Sequence, residues 1–302
     1  MKTYKELREI LERVPLTKMN SHVHTHVCDG AEDMTVENIA RAAETVGLEL
    51  IIFVPLFHKR VEDASKSLYE DSREEIFWQL REEIDCYGKH GGRVTFLLST
   101  EADILSVEGE ISLHPSEKTE RCLDLITPTL NYHPLLPLEA VAVTGIRTVD
   151  EFHADGRFAK LESAAGGKTR VLETAYEAMA SALEQCEYPS MLGHFFCSHT
   201  IPNQTHTWFG ITEADCKTVY EGTRLILDVC QKRSSMLDLS GIHFTECTAE
   251  QQRRKDGFLY NFQCWVMEEC RRRGIPFGVG SDAHRLLKIS YVSEYKELYG
   301  WR

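Results

Sequence analysis

The chain has 302 residues, of which 42% are hydrophobic and 27% charged, as in an ordinary soluble globular enzyme. Its formal net charge of −13 argues against a surface built to hold duplex nucleic acid. No apolar run approaches the roughly 18 residues that a membrane-spanning helix needs, so we expect no membrane association. The ten cysteines include no C-x-x-C pair and predict reduced thiols. These features indicate a cytoplasmic protein.

The first elements already show how the chain is organised. Met1–Val14 is charged and amphipathic, which predicts an N-terminal helix within residues 1–16 and not a signal peptide. Thr35–Val46 is a helical pattern that ends at Gly47, and the apolar run Leu48–Leu56 after it predicts a strand.

Later segments repeat this alternation of helix and strand. Ser72 begins a capping-box signature before a helix, and the strand-like run Arg93–Ser99 follows. Ser235–Ser240 is another strand-like run, and a last helix over Phe258–Arg273 ends at Gly274.

Seven strand candidates can be counted along the chain. They end near His22, Leu56, Thr100, Tyr132, Gly193, Ser240 and Ser281. Strands that alternate with helices predict a parallel sheet, and the absence of a dinucleotide fingerprint favours a TIM-like βα-barrel over an open sheet. We expect one α/β domain over residues 1–302.

One connection breaks the alternation. Residues of about 135–168 are rich in proline, glycine and mixed charge, and loops of that length are uncommon inside compact domains. This segment is either a lid over the barrel mouth or a solvated surface excursion.

Side chains of metal-ligand type follow almost every strand candidate. They are His22, His24, Glu101, His133, His194, Asp282 and His284. In a parallel barrel these strand ends meet at one mouth, where barrel active sites are built. Members of a pair two residues apart point the same way on an extended backbone, so one cation can take two ligands from one strand. Imidazole and carboxylate ligands without cysteine suit a catalytic zinc, manganese or iron site.

At this point the sequence resembles the polymerase and histidinol phosphatase (PHP) superfamily. The resemblance is carried by His22-Val23-His24-Thr25 with Asp29-Gly30, Glu101 to Leu105, Asp124-Leu125-Ile126 leading to His133, Leu192-Gly193-His194, and Gly280 to His284. The resemblance implies a distorted seven-stranded βα-barrel with the metal site at its C-terminal mouth. Members of this superfamily hydrolyse phosphoesters with two or three divalent metal ions, or serve as exonuclease modules of polymerases.

The resemblance also implies a division of ligands. His22, His24, Glu101 and Asp282 would hold one metal, and Glu101 would bridge to a second metal. That second metal would be held also by His133 and His194.

A third metal would take His284, a first-loop ligand and a second-strand ligand. Asp29 or His26 is the candidate in the first loop. Where the superfamily usually has a second-strand ligand this chain has Leu56, so only a shifted His58 could substitute. Asn20-Ser21 also replaces the Asp-Leu commonly seen before the first histidine.

Four further residues are candidates near the site. Asp238 and His243 flank the sixth strand candidate, and Asp238 either approaches the site or points into the barrel wall. His199 and His206 are candidate catalytic groups that could bind a phosphate or protonate a leaving group, or lie on the surface.

The leading hypothesis is a metal-dependent phosphoesterase acting on a small phosphomonoester through a metal-bridging hydroxide, with Glu101 central to catalysis. Histidinol phosphate is the first candidate substrate, and nucleotide and sugar phosphates follow. The alternatives are a metal-dependent hydrolase of an amide or lactone, a short-oligonucleotide exonuclease, and a degenerate member that binds a phosphorylated ligand without turnover. The sequence indicates no oligomeric state.

Overall fold

A computed structural model describes residues 1–28, 30–57, 74–130, 135, 157–193, 195, 213–240 and 257–292. Among these residues, no helix is both long and apolar enough to cross a membrane. Within these ranges, six cysteines are free thiols: Cys86, Cys122, Cys186, Cys216, Cys230 and Cys270.

Within the described ranges, nine short strands form three parallel sheets. In chain order they are β1 Met19–Val23, β2 Leu50–Phe53, β3 Leu56–Phe57, β4 Thr95–Leu98, β5 Glu101–Asp103, β6 Thr127–Thr129, β7 Met191–Leu192, β8 Met236–Asp238 and β9 Phe277–Gly278. The sheets have the strand orders β1-β2-β4, β3-β5-β6 and β7-β8-β9. Every pairing within them is parallel, so the predicted parallel α/β organisation is confirmed.

The part of the chain that the structure describes also has eight α-helices. They are α1 Tyr4–Arg13, α2 Val36–Val46, α3 Glu75–Lys89, α4 Glu117–Cys122, α5 Arg157–Ala165, α6 Lys168–Gln185, α7 Cys216–Arg233 and α8 Gly257–Arg273. Short 3-10 helices lie at Leu16–Lys18, Glu213–Asp215 and Leu286–Tyr291.

Two of the strands continue after a short interruption. Val54-Pro55 separates β2 from β3, and proline has no N–H to donate to a sheet. The carbonyl of Pro55 instead accepts from Glu101 N at 3.0 Å, and the carbonyl of Phe53 accepts from Ser99 N at 2.8 Å. The path from β2 to β3 therefore runs beside the path from β4 to β5. Each of the seven strand candidates predicted from the sequence contains at least one strand in the structure.

Backbone hydrogen bonds also link the sheets. Ser21 N in β1 donates to Val279 O just after β9 at 2.9 Å. Between β6 and β7, Met191 N donates to Ile126 O at 3.0 Å. The first and last strands of the chain are thus direct neighbours.

The core has two parts, one on each face of the strands. In β2, Leu50 and Ile52 belong to one cluster, whereas Ile51 and Phe53 belong to the other. All four side chains are fully buried. Burial on both faces is typical of parallel strands and explains why β2 reads as a continuous apolar run. Each such side chain contributes about 1.5–3 kcal/mol to folding.

The N-terminal helix forms as the amphipathic pattern predicts. Thr3 Oγ1 accepts from Glu6 N, and Glu6 Oε2 accepts from Thr3 N at 2.7 Å, which makes a capping box. On the other face, Leu7 and Leu11 are buried in the core.

The helix termini follow the sequence signals unevenly. Thr35 caps α2 by accepting from Asn38 N, and Gly47 ends the helix with a φ of 77° that favours glycine. By contrast, α3 begins at Glu75 and not directly after Ser72, which lies outside the described residues. Glu74 instead accepts hydrogen bonds from Ser116 at the start of α4.

The predicted insertion is only partly described. Residues 136–156 lie outside the described ranges, whereas α5 supplies an ordered helix at the end of the segment. The lid interpretation therefore stays a prediction.

Asp124, which lies just before β6, links three segments of the chain. Its carboxylate accepts from Leu98 N at 2.8 Å and from Arg81 Nη2 at 2.7 Å, and lies 3.4 Å from Lys2 Nζ. We expect Asp124→Asn to lower the free energy of unfolding by about 1–3 kcal/mol, because it removes a charged acceptor from partly buried donors. Chemical denaturation measures this loss, and an unchanged midpoint would contradict the assigned role.

Candidate metal centre

Two histidines at the end of β1 face the same carboxylate. His22 and His24 lie two residues apart, and both side chains are buried. The Nε2 atom of each ring lies 3.5 Å from Glu101 Oε2. The expectation that the two rings point the same way on an extended strand is confirmed.

Asp282 approaches these histidines from the segment after β9. Its Oδ1 atom lies 3.0 Å from His24 Nε2 and 3.9 Å from His22 Nε2. The backbone of Asp282 has a φ of 50°, a left-handed conformation that side-chain-bearing residues rarely adopt. Such strain persists only where the surroundings fix it, and it is frequent at functional sites.

The spacing of these atoms fits a bound cation. Ligands at about 2.0–2.2 Å from a tetrahedral metal lie about 3.3–3.6 Å from one another. The four separations between the histidine nitrogens and the two carboxylate oxygens run from 3.0 to 3.9 Å. His22, His24 and Glu101 thus present two imidazoles and a carboxylate whose ligand atoms all lie within 4.8 Å of one another.

His284 extends the cluster towards solvent. Its ring stacks on that of His24, with centroids 3.9 Å apart and planes inclined by 16°. Together with Asp282, these two histidines form a second group whose ligand atoms lie within 4.8 Å of one another. The side chain of His284 is 37% exposed, so the cluster runs from a buried end to an accessible one.

Neighbouring opposite charges stabilise each other in the site and shift the pKa values of His22 and Asp282. Burial lowers the pKa of the His22 imidazole, but the charge and hydrogen bond of Asp238, together with Glu101, outweigh it and raise the pKa to about 10. Burial raises the pKa of the Asp282 carboxyl, but its hydrogen bond to His24 and the nearby imidazole charges hold that pKa well below its usual value. A cation must displace protons from such imidazoles, so metal affinity is expected to fall as the pH falls.

Asn20 holds the segment that carries Asp282. Its Oδ1 accepts from Ser281 N at 2.9 Å, and its Nδ2 donates to Ser281 Oγ at 2.7 Å. Asn20 is fully buried. The sequence marked this residue only as a departure from a family pattern, and no signal pointed to its partner.

Gly280 allows the last strand to lie against His22. A Cβ atom at this position would lie 2.5 Å from His22 Cβ and 2.6 Å from His22 N. At Gly278 a Cβ would lie 2.5 Å from Ser21 Cβ. These glycines serve a close approach of two strands.

Asp238 lies behind His22 and not in the barrel wall. Its Oδ2 atom is 2.7 Å from His22 Nδ1, and its side chain is fully buried. Of the two orientations that the sequence left open, the structure has the one that approaches the site.

The second strand has an apolar residue where a ligand is usual. Leu56 is paired in register with Glu101, and only 8% of Leu56 is exposed. The alternative first-loop ligand His26 turns away, because its Nδ1 lies 3.3 Å from Met34 O and its Nε2 3.5 Å from Glu83 Oε1. The described contacts of His26 are thus with Met34 and Glu83, and its place as a first-loop ligand stays a prediction.

Several predicted site residues cannot be placed. Asp29, His58, His133, His194, His199, His206 and His243 lie outside the described residues. Their roles stay predictions.

Fold and site together define a parallel α/β protein that gathers histidine and carboxylate side chains at the carboxyl ends of its strands. Solved structures with this fold include a candidate histidinol phosphatase from Listeria monocytogenes, with a TM-score of 0.57 and 18% identity over 90% of this chain and 97% of its own. The histidinol phosphate phosphatase from Lactococcus lactis subsp. lactis, in complex with zinc, L-histidinol and phosphate, gives a TM-score of 0.53. It is 14% identical and covers 94% of this chain and 93% of its own.

No family model and no curated protein matches the chain. At this level of identity the likeness shows the fold, and the fold is that of the histidinol phosphatase structures. The expected resemblance is confirmed to that extent.

We expect Gly280→Ala to weaken metal binding, because the added methyl group would push β1 and His22 out of place. The steric overlap of this methyl group with its neighbours should also lower the free energy of unfolding by about 1–3 kcal/mol. Elemental analysis after dialysis against zinc measures the first effect. Gly88→Ala in α3 is the matched control, since a Cβ there meets nothing within 4 Å. Equal zinc content in the two variants would contradict the close-approach role.

Removal of divalent cations should lower the melting temperature. A ligand bound only to the native state stabilises it by mass action, so chelator-treated protein should melt below zinc-supplemented protein. His22→Gln should abolish most of that difference. A melting temperature that is insensitive to both zinc and chelator would rule out a cation at this cluster.

Proposed function

We propose that this chain is a metal-dependent phosphoesterase that hydrolyses a small phosphomonoester. The observation that carries the proposal is the convergence of His22, His24, Glu101 and Asp282 at metal-ligand spacing. The fold of the two histidinol phosphatase structures supports it.

The donor set suits divalent cations such as zinc, manganese or iron. When bound, such cations lower the pKa of water and neutralise charge on a phosphoryl group. Glu101 Oε2 faces both His22 and His24, and Glu101 would also hold a second cation with His133 and His194. Buried side chains on rigid strands hold this arrangement without reorganisation.

We propose two cations as the core of the site. A third cation would be held by His284, which lies at the accessible end of the cluster. It would also need Asp29 and a substitute for Leu56, for which His58 is the candidate.

The proposal includes a closed seven-stranded βα-barrel formed as one domain over residues 1–302. Hydrogen bonds that link β1 to the end of β9, and β6 to β7, support closure. The parallel bridge between Ile126 and Ser190 supports it as well. Residues of about 135–168 would then lie near the mouth, where a lid could close over a substrate.

Histidinol phosphate is the first substrate to test. The Lactococcus enzyme binds L-histidinol and phosphate, and its fold is shared. Because Leu56 replaces a usual ligand close to the reacting group, nucleotide and sugar phosphates belong in the same panel. We propose a cytoplasmic setting for this reaction.

The test is phosphate release from a phosphomonoester panel by protein reconstituted with zinc or manganese. Glu101→Ala should abolish turnover, whereas Asp124→Asn, which also loses a buried carboxylate, should retain it. If the protein turned over only the amide or lactone substrates, the alternative function, a metal-dependent hydrolase of such substrates, would replace the proposed phosphoesterase. Tight phosphate binding without turnover under any metal would indicate a binding protein, and turnover unaffected by Glu101→Ala would refute the assigned site.

A further inference from the structure

Asp238 is a buried carboxylate in direct contact with a candidate metal ligand. It ends β8, its side chain has no exposed surface, and its Oδ2 atom lies 2.7 Å from His22 Nδ1. The opposite nitrogen of the same ring, Nε2, faces Glu101 Oε2 at 3.5 Å. The imidazole therefore lies between Asp238 and the cluster.

The other oxygen of Asp238 is held by donors. Oδ1 accepts from Ser21 Oγ at 2.6 Å, from Ser240 N at 3.2 Å and from the Ser240 hydroxyl. Because these groups all donate, they fix the carboxylate in one orientation and leave Oδ2 for the imidazole.

We propose that Asp238 is a positioning residue that sets the tautomer of His22. By accepting the Nδ1–H, it leaves the lone pair on Nε2, directed at Glu101 and the cation. Carboxylate partners of this kind orient histidine ligands and increase their basicity. The inference rests on the proposed metal centre, and it assigns a role to a residue that is not itself a ligand.

Asp238→Asn tests this role because the structure dictates how the amide must lie. The Ser240 N–H needs an acceptor, so the amide oxygen remains at the Oδ1 position. The NH2 group then faces His22 Nδ1, which must become an acceptor and transfer its proton to Nε2. An Nε2 atom that carries a proton cannot bind a cation.

The experiment is zinc titration of the metal-free full chain against a chromophoric chelator. We expect Asp238→Asn to bind zinc about 10- to 100-fold more weakly than the unmodified chain. Asp124→Asn is the matched control, since it removes a buried carboxylate whose partners are Arg81, Leu98 and Lys2 and should leave zinc affinity unchanged.

A second readout separates positioning from mere packing. In the cobalt-loaded chain, the His22 Nδ1–H should give an exchangeable, paramagnetically shifted proton resonance. Asp238→Asn, loaded at high cobalt concentration, should lose that resonance while retaining resonances from the other ligands.

Each outcome decides the question. No zinc uptake by the unmodified chain would overturn the proposed metal centre itself. Normal uptake with unchanged affinity and resonance in Asp238→Asn would overturn only the role of Asp238. If Asp238→Asn does not fold, Ser21→Ala serves as the test variant. It removes one hydrogen bond that holds the Asp238 carboxylate and keeps the charge of that carboxylate. A loss of zinc affinity of about two- to fivefold would then support the role, and no loss would overturn it.

Discussion

The contact between β1 and the segment after β9 is the constraint on which the site depends. Ser21 N and His24 N donate to the carbonyls of Val279 and Ala283, so the two ends of the chain run side by side. This pairing places the histidines of the first strand against Asp282. Gly280 permits the approach, because any larger residue would collide with His22. Without this pairing, His22 and His24 would face Glu101 but not Asp282.

Much of the fold follows from local patterns, whereas the environment of the ligands does not. Hydrophobic periodicity and terminal glycines such as Gly47 depend on neighbours along the chain, and the alternation of helix and strand was correctly predicted from them. The ligand positions were found because strand ends of a parallel sheet meet at one edge. The contacts of Asn20 and Asp238 escaped prediction because their partners lie 261 and 216 residues away. The contact of Glu74 with Ser116 at the start of α4 escaped prediction for a similar reason.

Leu56 shows how one apolar residue changes a polar site. It stands in register with Glu101, and Glu101 in turn with Thr127, so the three residues form one row across neighbouring strands. A leucine in this row contributes no ligand atom of its own. The group of possible ligand atoms at this end of the cluster is therefore that of His22, His24 and Glu101.

The distance along the chain between Asn20 and Ser281 also determines when the site can assemble. Closing the loop of 261 residues between them costs chain entropy, and the contact cannot form before both segments are present. Nascent chains and C-terminal truncations lack the last strand, so they present the histidines of β1 without Asp282. Such intermediates would compete poorly for scarce cations. Only the completed chain would then bind a cation tightly. The bound cation would stabilise that chain, so cellular proteases would degrade fragments in preference to finished chains.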